Sequence, residues 1–233
     1  MKTFDELVEG IKELKEHGFV KTHRSGNTGI GKTLEDLLGI EENNFPGPDG
    51  IITELKSGRK YSKSMLTLFT KSPDPYGINS ELLKNFGYPG TNGKLHLHST
   101  VNTLEFNTLK GKTGFKISIE DETIKILSEI KNLVPFWKKE TLQKSFEKKY
   151  KELLYVKAIT QGTGKNEEFH FNEAWFMRGF DFQNFIKLLQ TGDIKVDIRI
   201  GQYSDGRPHD HGTGFRIFPD KLDLCFSKRK RVV

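Results

Sequence analysis

The stretch Phe45-Pro-Gly-Pro-Asp-Gly-Ile-Ile-Thr-Glu-Leu-Lys-Ser57 sets Asp49, Glu54 and Lys56 around a short apolar run, Ile51-Ile52. On a strand successive side chains alternate faces, so Glu54 and Lys56 point the same way. Asp49 stands five residues before Glu54, and an unbroken strand would put it on the opposite face. Gly50 is where the chain can bend and return that carboxylate to the same side. Two carboxylates and a lysine at a strand end can hold Mg²⁺ and orient a water, because hard divalent cations take oxygen ligands. Metal-assisted attack on a phosphodiester needs that set of parts. The pattern is loose, and charges alternating on an edge strand more often make a solvated face. The rest of the chain decides.

The chain has 233 residues, enough for one large domain or two small ones with a real core. Eighteen Phe among 11% aromatics point to a packed interior. A formal charge of +6 favours a polyanionic partner. The 31 acidic residues lie interspersed among 37 basic ones, which excludes a disordered basic tail. A single cysteine, Cys225, excludes an intramolecular disulfide framework and a Cys-rich zinc module, and fits a reducing cytoplasm. No apolar run approaches a membrane span, and the first residues lack an apolar signal core. The expectation is a soluble, cytoplasmic protein without a membrane partner.

Residues 3–17 carry Phe4, Leu7, Ile11 and Leu14 at helical spacing, with a stop at His17-Gly18. A polar Gly-rich segment follows, Thr22 to Lys32, and then a short helix, Thr33 to Leu38. The opening stretch begins the sheet. Met65–Thr70 reads as its antiparallel neighbour across a basic turn, Lys56–Lys63. Leu95–Val101, Phe115–Ile119 and Thr123–Leu127 read as a meander. Lys138–Glu152 and Phe180–Gln190 read as helices, with a buried strand Leu153–Thr160 between them. Ile194–Ile200 alternates apolar and charged residues, which puts Lys195, Asp197 and Arg199 on one face of a half-buried strand. Gly212–Ile217 is a last strand, and Lys228-Arg-Lys-Arg231 a basic tail. The expected fold class is α/β in one unit over residues 1–233, with two lobes about 1–130 and 131–233.

Gly26-Asn-Thr-Gly-Ile-Gly-Lys-Thr33 matches G-x-x-x-x-G-K-[ST] at every fixed position, the signature of a loop that cradles nucleotide phosphates. A P-loop NTPase needs a buried strand before it, and Phe19 to Ser25 is mostly polar. It also needs a later apolar strand ending in Asp, which is missing. The segment fits better as a donor-rich contact to DNA phosphate, with Lys32 in it, leading into the helix that carries Glu35. No bound nucleotide is expected.

His209-Asp-His-Gly-Thr-Gly-Phe-Arg216 follows the strand bearing Asp197 and Arg199. Arg pairs bidentately with guanine and Asp accepts from the cytosine amino group, so the set can read bases. His-Asp-His can equally bind a transition metal. In a third reading His209 and His211 cap a turn while Arg216 pairs with a nearby acid. A basic chain with a candidate phosphodiesterase centre favours base readout.

Five stretches together resemble the MvaI/BcnI family of Type II restriction endonucleases, related to the mismatch-repair nickase MutH. They are Gly26-Asn-Thr-Gly-Ile-Gly-Lys-Thr-Leu-Glu-Asp-Leu-Leu38, Pro48-Asp49 with Glu54-Leu-Lys56, Leu66-Thr-Leu-Phe-Thr-Lys-Ser-Pro73, Asp193-Ile-Lys-Val-Asp-Ile-Arg-Ile-Gly201, and His209-Asp-His-Gly-Thr-Gly-Phe-Arg-Ile217. The last two are more similar to the MvaI branch. Residues 103–190 carry no matching motif.

The resemblance implies a restriction-endonuclease-like, PD-(D/E)XK central mixed sheet flanked by helices, with catalytic and recognition lobes around a DNA cleft. It implies that Asp49 and Glu54 hold Mg²⁺, for which Mn²⁺ can substitute, and that Lys56 positions or deprotonates the attacking water. Glu35 matches the family's additional active-site acid. Asp197, Arg199, His209, Asp210, His211 and Arg216 fall where the family reads bases, and Lys32 and Lys71 are counted with the DNA contacts. The implied reaction cuts double-stranded DNA at CC(W or S)GG, with W nearer, as a monomer nicking one strand at a time. A partner-dependent MutH-like nickase, a P-loop NTPase and a catalytically dead DNA-binding protein are the rival readings.

Overall fold

The computed structural model describes residues 2–40, 48–90 and 93–233. Phe45 to Gly47 of the opening stretch lie outside them. The chain divides into two compact units, each discontinuous in sequence: residues 1–64, 147–181 and 219–233 form one, and residues 65–146 and 182–218 the other. A cut near residue 130 falls inside the second unit, so the expected lobe boundary does not follow this division.

In the first unit, α1 (Phe4–His17) opens on a capping box in which Thr3 and Glu6 satisfy each other's backbone N–H groups, a device worth about 1 kcal/mol. Then come β1 (Val20–Lys21), α2 (Gly29–Leu37) and β2 (Thr53–Arg59). The second unit supplies β3 (Leu66–Thr70), α3 (Ile78–Phe86), β4 (Tyr88–Pro89), β5 (Leu95–Val101), β6 (Thr108–Leu109), β7 (Lys112–Thr113), β8 (Lys116–Ile119), β9 (Thr123–Leu127), β10 (Phe136–Lys138) and α4 (Lys139–Glu147). The chain returns to the first unit for β11 (Glu152–Gln161) and β12 (Glu168–Arg178). It leaves again for α5 (Phe182–Gln190), β13 (Ile194–Gln202), β14 (Pro208–Asp210) and β15 (Gly214–Ile217), and closes with β16 (Lys228–Arg231).

The sheet of the first unit runs β1-β12-β11-β2, with β16 also on β12. It is mixed: β2 lies parallel to β11, from Thr53 opposite Glu152 to Arg59 opposite Ala158, and the other pairings are antiparallel. One face is closed by α1 and α2, where Leu7, Ile11, Ile30 and Leu34 pack on Leu55, Leu154, Val156 and Phe171. Alternation along β2 therefore gives Leu55, Ser57 and Arg59 to the α2 side, and Glu54 and Lys56 to the other.

In the second unit, β13 is paired by β5 on one side and by β15 and then β3 on the other, all antiparallel. Its core stacks Phe69 on Phe215 at 4.9 Å, with Phe146, Phe185 and Trp137 around them. The strands β8, β9 and β10 make a separate three-stranded sheet.

The sequence reading differs from the structure in pairing and exposure. Met65–Thr70 pairs with β15, not with β2, whose partner is β11 nearly a hundred residues on. Leu95–Val101 pairs with β13 and β4 rather than joining the meander. Ile51 and Ile52 are not strand interior but exposed turn residues, 57% and 42% accessible. The basic end, Lys228–Arg231, is no tail: it adds β16 to β12. Among the described residues no helix is long and apolar enough to cross a membrane.

Candidate active site

The bend before β2 brings Asp49 back to the strand. Gly50 N donates to Thr53 O at 2.8 Å, closing the turn, and Asp49 Oδ2 accepts from Leu55 N at 2.9 Å. Gly50 is wedged against the carbonyls of Lys2 and Thr53, each 3.1 Å from where a Cβ would stand, so the turn has little room for a side chain. Burial raises the pKa of the Asp49 carboxyl above its ordinary value, and the charge of Glu54 raises it further.

Glu54 is 1% exposed, and a buried carboxylate must be matched by positive charge. Two lysines do this. Lys56 Nζ donates to Oε1 at 2.9 Å, and Lys149 Nζ to Oε1 at 3.1 Å and Oε2 at 3.4 Å. Lys149 just precedes β11, in the segment that follows α4. Tyr150 beside it is buried, and its phenol is held well above its ordinary pKa by burial and then by Glu54. Glu35 lies on the α2 side of β2. Its Oε1 and the Ser57 hydroxyl each stand 3.9 Å from where a Gly31 Cβ would be, and Ser57 Oγ is buried without a hydrogen-bond partner.

The Gly-rich segment is not built as a phosphate cradle. The strand before it, β1, is two residues long and lies at the sheet edge. Thr33 Oγ1 donates to Gly29 O and accepts from His23 N, and Lys32 Nζ pairs with Asp36 at 2.6 Å. The P-loop reading fails on that local bonding.

In the second unit, Asp197 and Arg199 project from β13 as the alternation required. Asp197 is 7% exposed; it accepts from Thr100 Oγ1 at 2.8 Å and from Arg216 Nη1 at 2.6 Å. Arg216 also donates to Met65 O. Asp210 accepts from Ser72 Oγ, Asn79 Nδ2 and Gly212 N, which pins its loop. Arg199 Nε forms a 3.6 Å ion pair with Asp197 Oδ2 and, among the described residues, is buried without a hydrogen-bond partner. His209 stacks on Tyr203 at 4.3 Å and touches His211, whose ring faces His98. Burial, then His96 for His98 and His209 for His211, lowers both pKa values. Lys71 sits with its backbone bonded to Thr213 and Trp137. Among the described residues no three His, Cys, Asp or Glu side chains are grouped to hold a metal.

The MvaI/BcnI restriction endonuclease family model matches residues 8–226. The chain belongs to the MvaI/BcnI restriction endonuclease family. It is similar to the solved restriction endonuclease MvaI in complex with its cognate DNA substrate, at 34% identity over 100% of both chains and a TM-score of 0.88. It is also similar to MvaI solved in the absence of DNA, at 33% identity over 100% of both chains and a TM-score of 0.58. A search of curated proteins finds no match. The chain is a Type II site-specific deoxyribonuclease with a mixed α/β fold of several sheets.

For a restriction endonuclease the sequence reading missed Lys149, one of many lysines in a charged helical segment, with nothing in the local pattern to single it out. It also missed His96 and His98. The alternation Leu95-His-Leu-His98 was legible as a strand face, but its pairing to Arg199 across β5 and β13 was not.

Proposed function

We propose that this chain is a Mg²⁺-dependent, sequence-specific endonuclease. It hydrolyses phosphodiester bonds of double-stranded DNA at a short G·C-rich site such as CCWGG or CCSGG, and works in the cytoplasm as a monomer that nicks each strand in turn. The observation that carries this reading is the convergence of Asp49 on Leu55 N with Glu54 held between Lys56 and Lys149. The cognate DNA complex of the MvaI relative supports double-stranded DNA as the partner.

The residues fit a hard cation. Two carboxylates stand close enough for one to raise the other's pKa, so a divalent ion between them would relieve a repulsion already present. Asp49 and Glu54 would hold Mg²⁺, with Mn²⁺ as a substitute. When bound, the ion supplies charge at the scissile phosphate and lowers the pKa of water there. Lys56 orients the attacking water, as a charge or as a base. Lys149 holds the Glu54 carboxylate in place. Glu35 and the unpartnered Ser57 hydroxyl offer polar positions for ordered water. Attack forms a P–O bond to water and breaks the bond to the 3′ oxygen, leaving a 5′-phosphate and a 3′-hydroxyl. Arg199 and the histidines read bases, while Asp197, Asp210 and Arg216 hold their loop and strand. Lys71 and, less directly, Lys32 meet phosphate.

Supercoiled plasmid carrying CCWGG or CCSGG sites tests the reading. Nicked circle followed by linear DNA in Mg²⁺, none in EDTA, and none from Asp49→Ala is the expected result. Wild-type cleavage by Asp49→Ala would falsify the assignment.

A further inference from the structure

The Gly-rich segment that imitates a P-loop still calls for an explanation, because its bonding is too elaborate for a spacer. Arg59, the last residue of β2, reaches it from the α2 side of the strand. Its Nε and Nη2 donate to Glu167 Oε1 and Oε2, each at 2.6 Å. Nη2 also donates to Gly26 O at 3.0 Å and Nη1 to Asn27 O at 3.4 Å. The guanidinium lies 5.4 Å from the centroid of Phe169, which is fully buried. Glu167 also bonds the segment directly, its carbonyl accepting from Thr22 N at 2.9 Å.

Each of the segment's three glycines then has a use other than phosphate binding. Gly26 holds a φ of +90°, and a Cβ on Gly29 would collide with the Arg24 carbonyl. Gly31 leaves open the space that Glu35 and Ser57 flank. One strand thus carries Glu54 and Lys56 on one face, and on the other the anchor for the helix that bears Glu35.

We propose that Arg59, clamped by Glu167, is a positioning residue for cleavage: it fixes the Gly26–Asn27 loop and so the register of α2 and Glu35 against β2. This rests on the nuclease reading above. Arg59 therefore acts through geometry and not as a cation for DNA. Lysine keeps the charge but cannot donate to a carboxylate edge and two carbonyls while stacking on a ring.

The test measures single-turnover cleavage of a cognate duplex in Mg²⁺, duplex affinity in Ca²⁺, and amide exchange over residues 26–34. Arg59→Lys, Glu167→Gln and Gly26→Ala are compared; the last strains the loop by its backbone alone. Each should slow cleavage about 10- to 100-fold, the scale of a small misplacement at a reacting centre. Affinity should change less than about threefold, and exchange over 26–34 should rise. In a Glu35→Gln background Arg59→Lys should slow cleavage no further, since the two act on one step. The inference is overturned if Arg59→Lys and Glu167→Gln both cleave at the wild-type rate. It is also overturned if their losses multiply with that of Glu35→Gln, or if affinity falls in step with rate. Failure of the nuclease reading is separate: wild-type protein would then not cleave in Mg²⁺, whatever stands at residue 59.

Discussion

Lys149 Nζ lies 3.1 Å and 3.4 Å from the two carboxylate oxygens of Glu54, a residue 95 positions earlier in the chain. Lys149→Met should leave Glu54 with Lys56 alone and slow cleavage strongly. Unfolding free energy should fall by about 1–3 kcal/mol, the scale for a buried polar group left short of a partner. Because a competing cation has gone, the Mg²⁺ concentration for half-maximal rate should fall rather than rise. A Mg²⁺ titration under single-turnover conditions reads this, and an increased requirement would count against the arrangement.

The two acids should respond oppositely to neutralisation. Asp49 has a raised pKa, so its contribution to stability is greatest below the ordinary 3.8 and is lost as pH rises through the folded value. Asp49→Asn should therefore melt higher than wild type at pH 7, by a margin that shrinks toward pH 3, and be inactive. Glu54→Gln leaves two lysines facing a neutral amide and should melt lower. Thermal melts of both variants from pH 3 to 7 check the pair of signs.

Among the described residues Arg199 Nε has no hydrogen-bond partner, whereas Asp210 already accepts from Ser72, Asn79 and Gly212. Arg199→Ala should relax discrimination at one G·C position, by about 1–3 kcal/mol per lost bidentate contact, with little change in melting temperature. Asp210→Ala should lower melting temperature and affinity for all sequences alike. Cleavage of a library of single-base site variants separates the two outcomes.

Gly31→Ala should raise helix stability by about 0.5–1 kcal/mol, as alanine does in a helix interior, yet lower activity. The added methyl would stand 3.9 Å from both Glu35 Oε1 and Ser57 Oγ. Denaturant unfolding and the cleavage rate, measured together, must move in opposite directions.

Glu173 makes part of the fold's stability acid-sensitive. Burial opposes its charge, but hydrogen bonds from Trp175, Lys60 and Lys157 hold its pKa at about 2 rather than 4.5. A depressed acid stabilises the fold above the unfolded pKa and loses that effect as pH falls through the folded one. The stability gap between wild type and Glu173→Gln should be full above pH 4.5 and close as pH falls toward 2.

Local signals were legible and long-range partners were not. Helical spacing and Thr3 marked α1, and alternation in Ile194–Ile200 placed Asp197 and Arg199 on one face, because both depend on near neighbours in sequence. Gly50 pointed to the turn that returns Asp49. The exposure of Ile51 and Ile52 was hidden, since an apolar pair reads as strand interior whatever it faces. Strand β12, Glu168-Phe-His-Phe-Asn-Glu-Ala-Trp-Phe-Met-Arg178, escaped notice: its register against β11 shifts beside Lys157, which breaks the period of two. Lys149 had no local mark at all, because its role exists only once β11 lies against β2.

That pairing sets an order of events during synthesis. When Asp49, Glu54 and Lys56 have left the ribosome, the parallel partner of their strand has not been made. Lys149 and β11 follow only after residues 65–146, and β12 comes later still. No contiguous fragment contains the first unit without spanning the second. A truncated or stalled chain thus holds the acids and Lys56 but lacks Lys149 and the sheet that seats them. By the order of its strands, such a chain should stay inert until β11 and β12 have been translated.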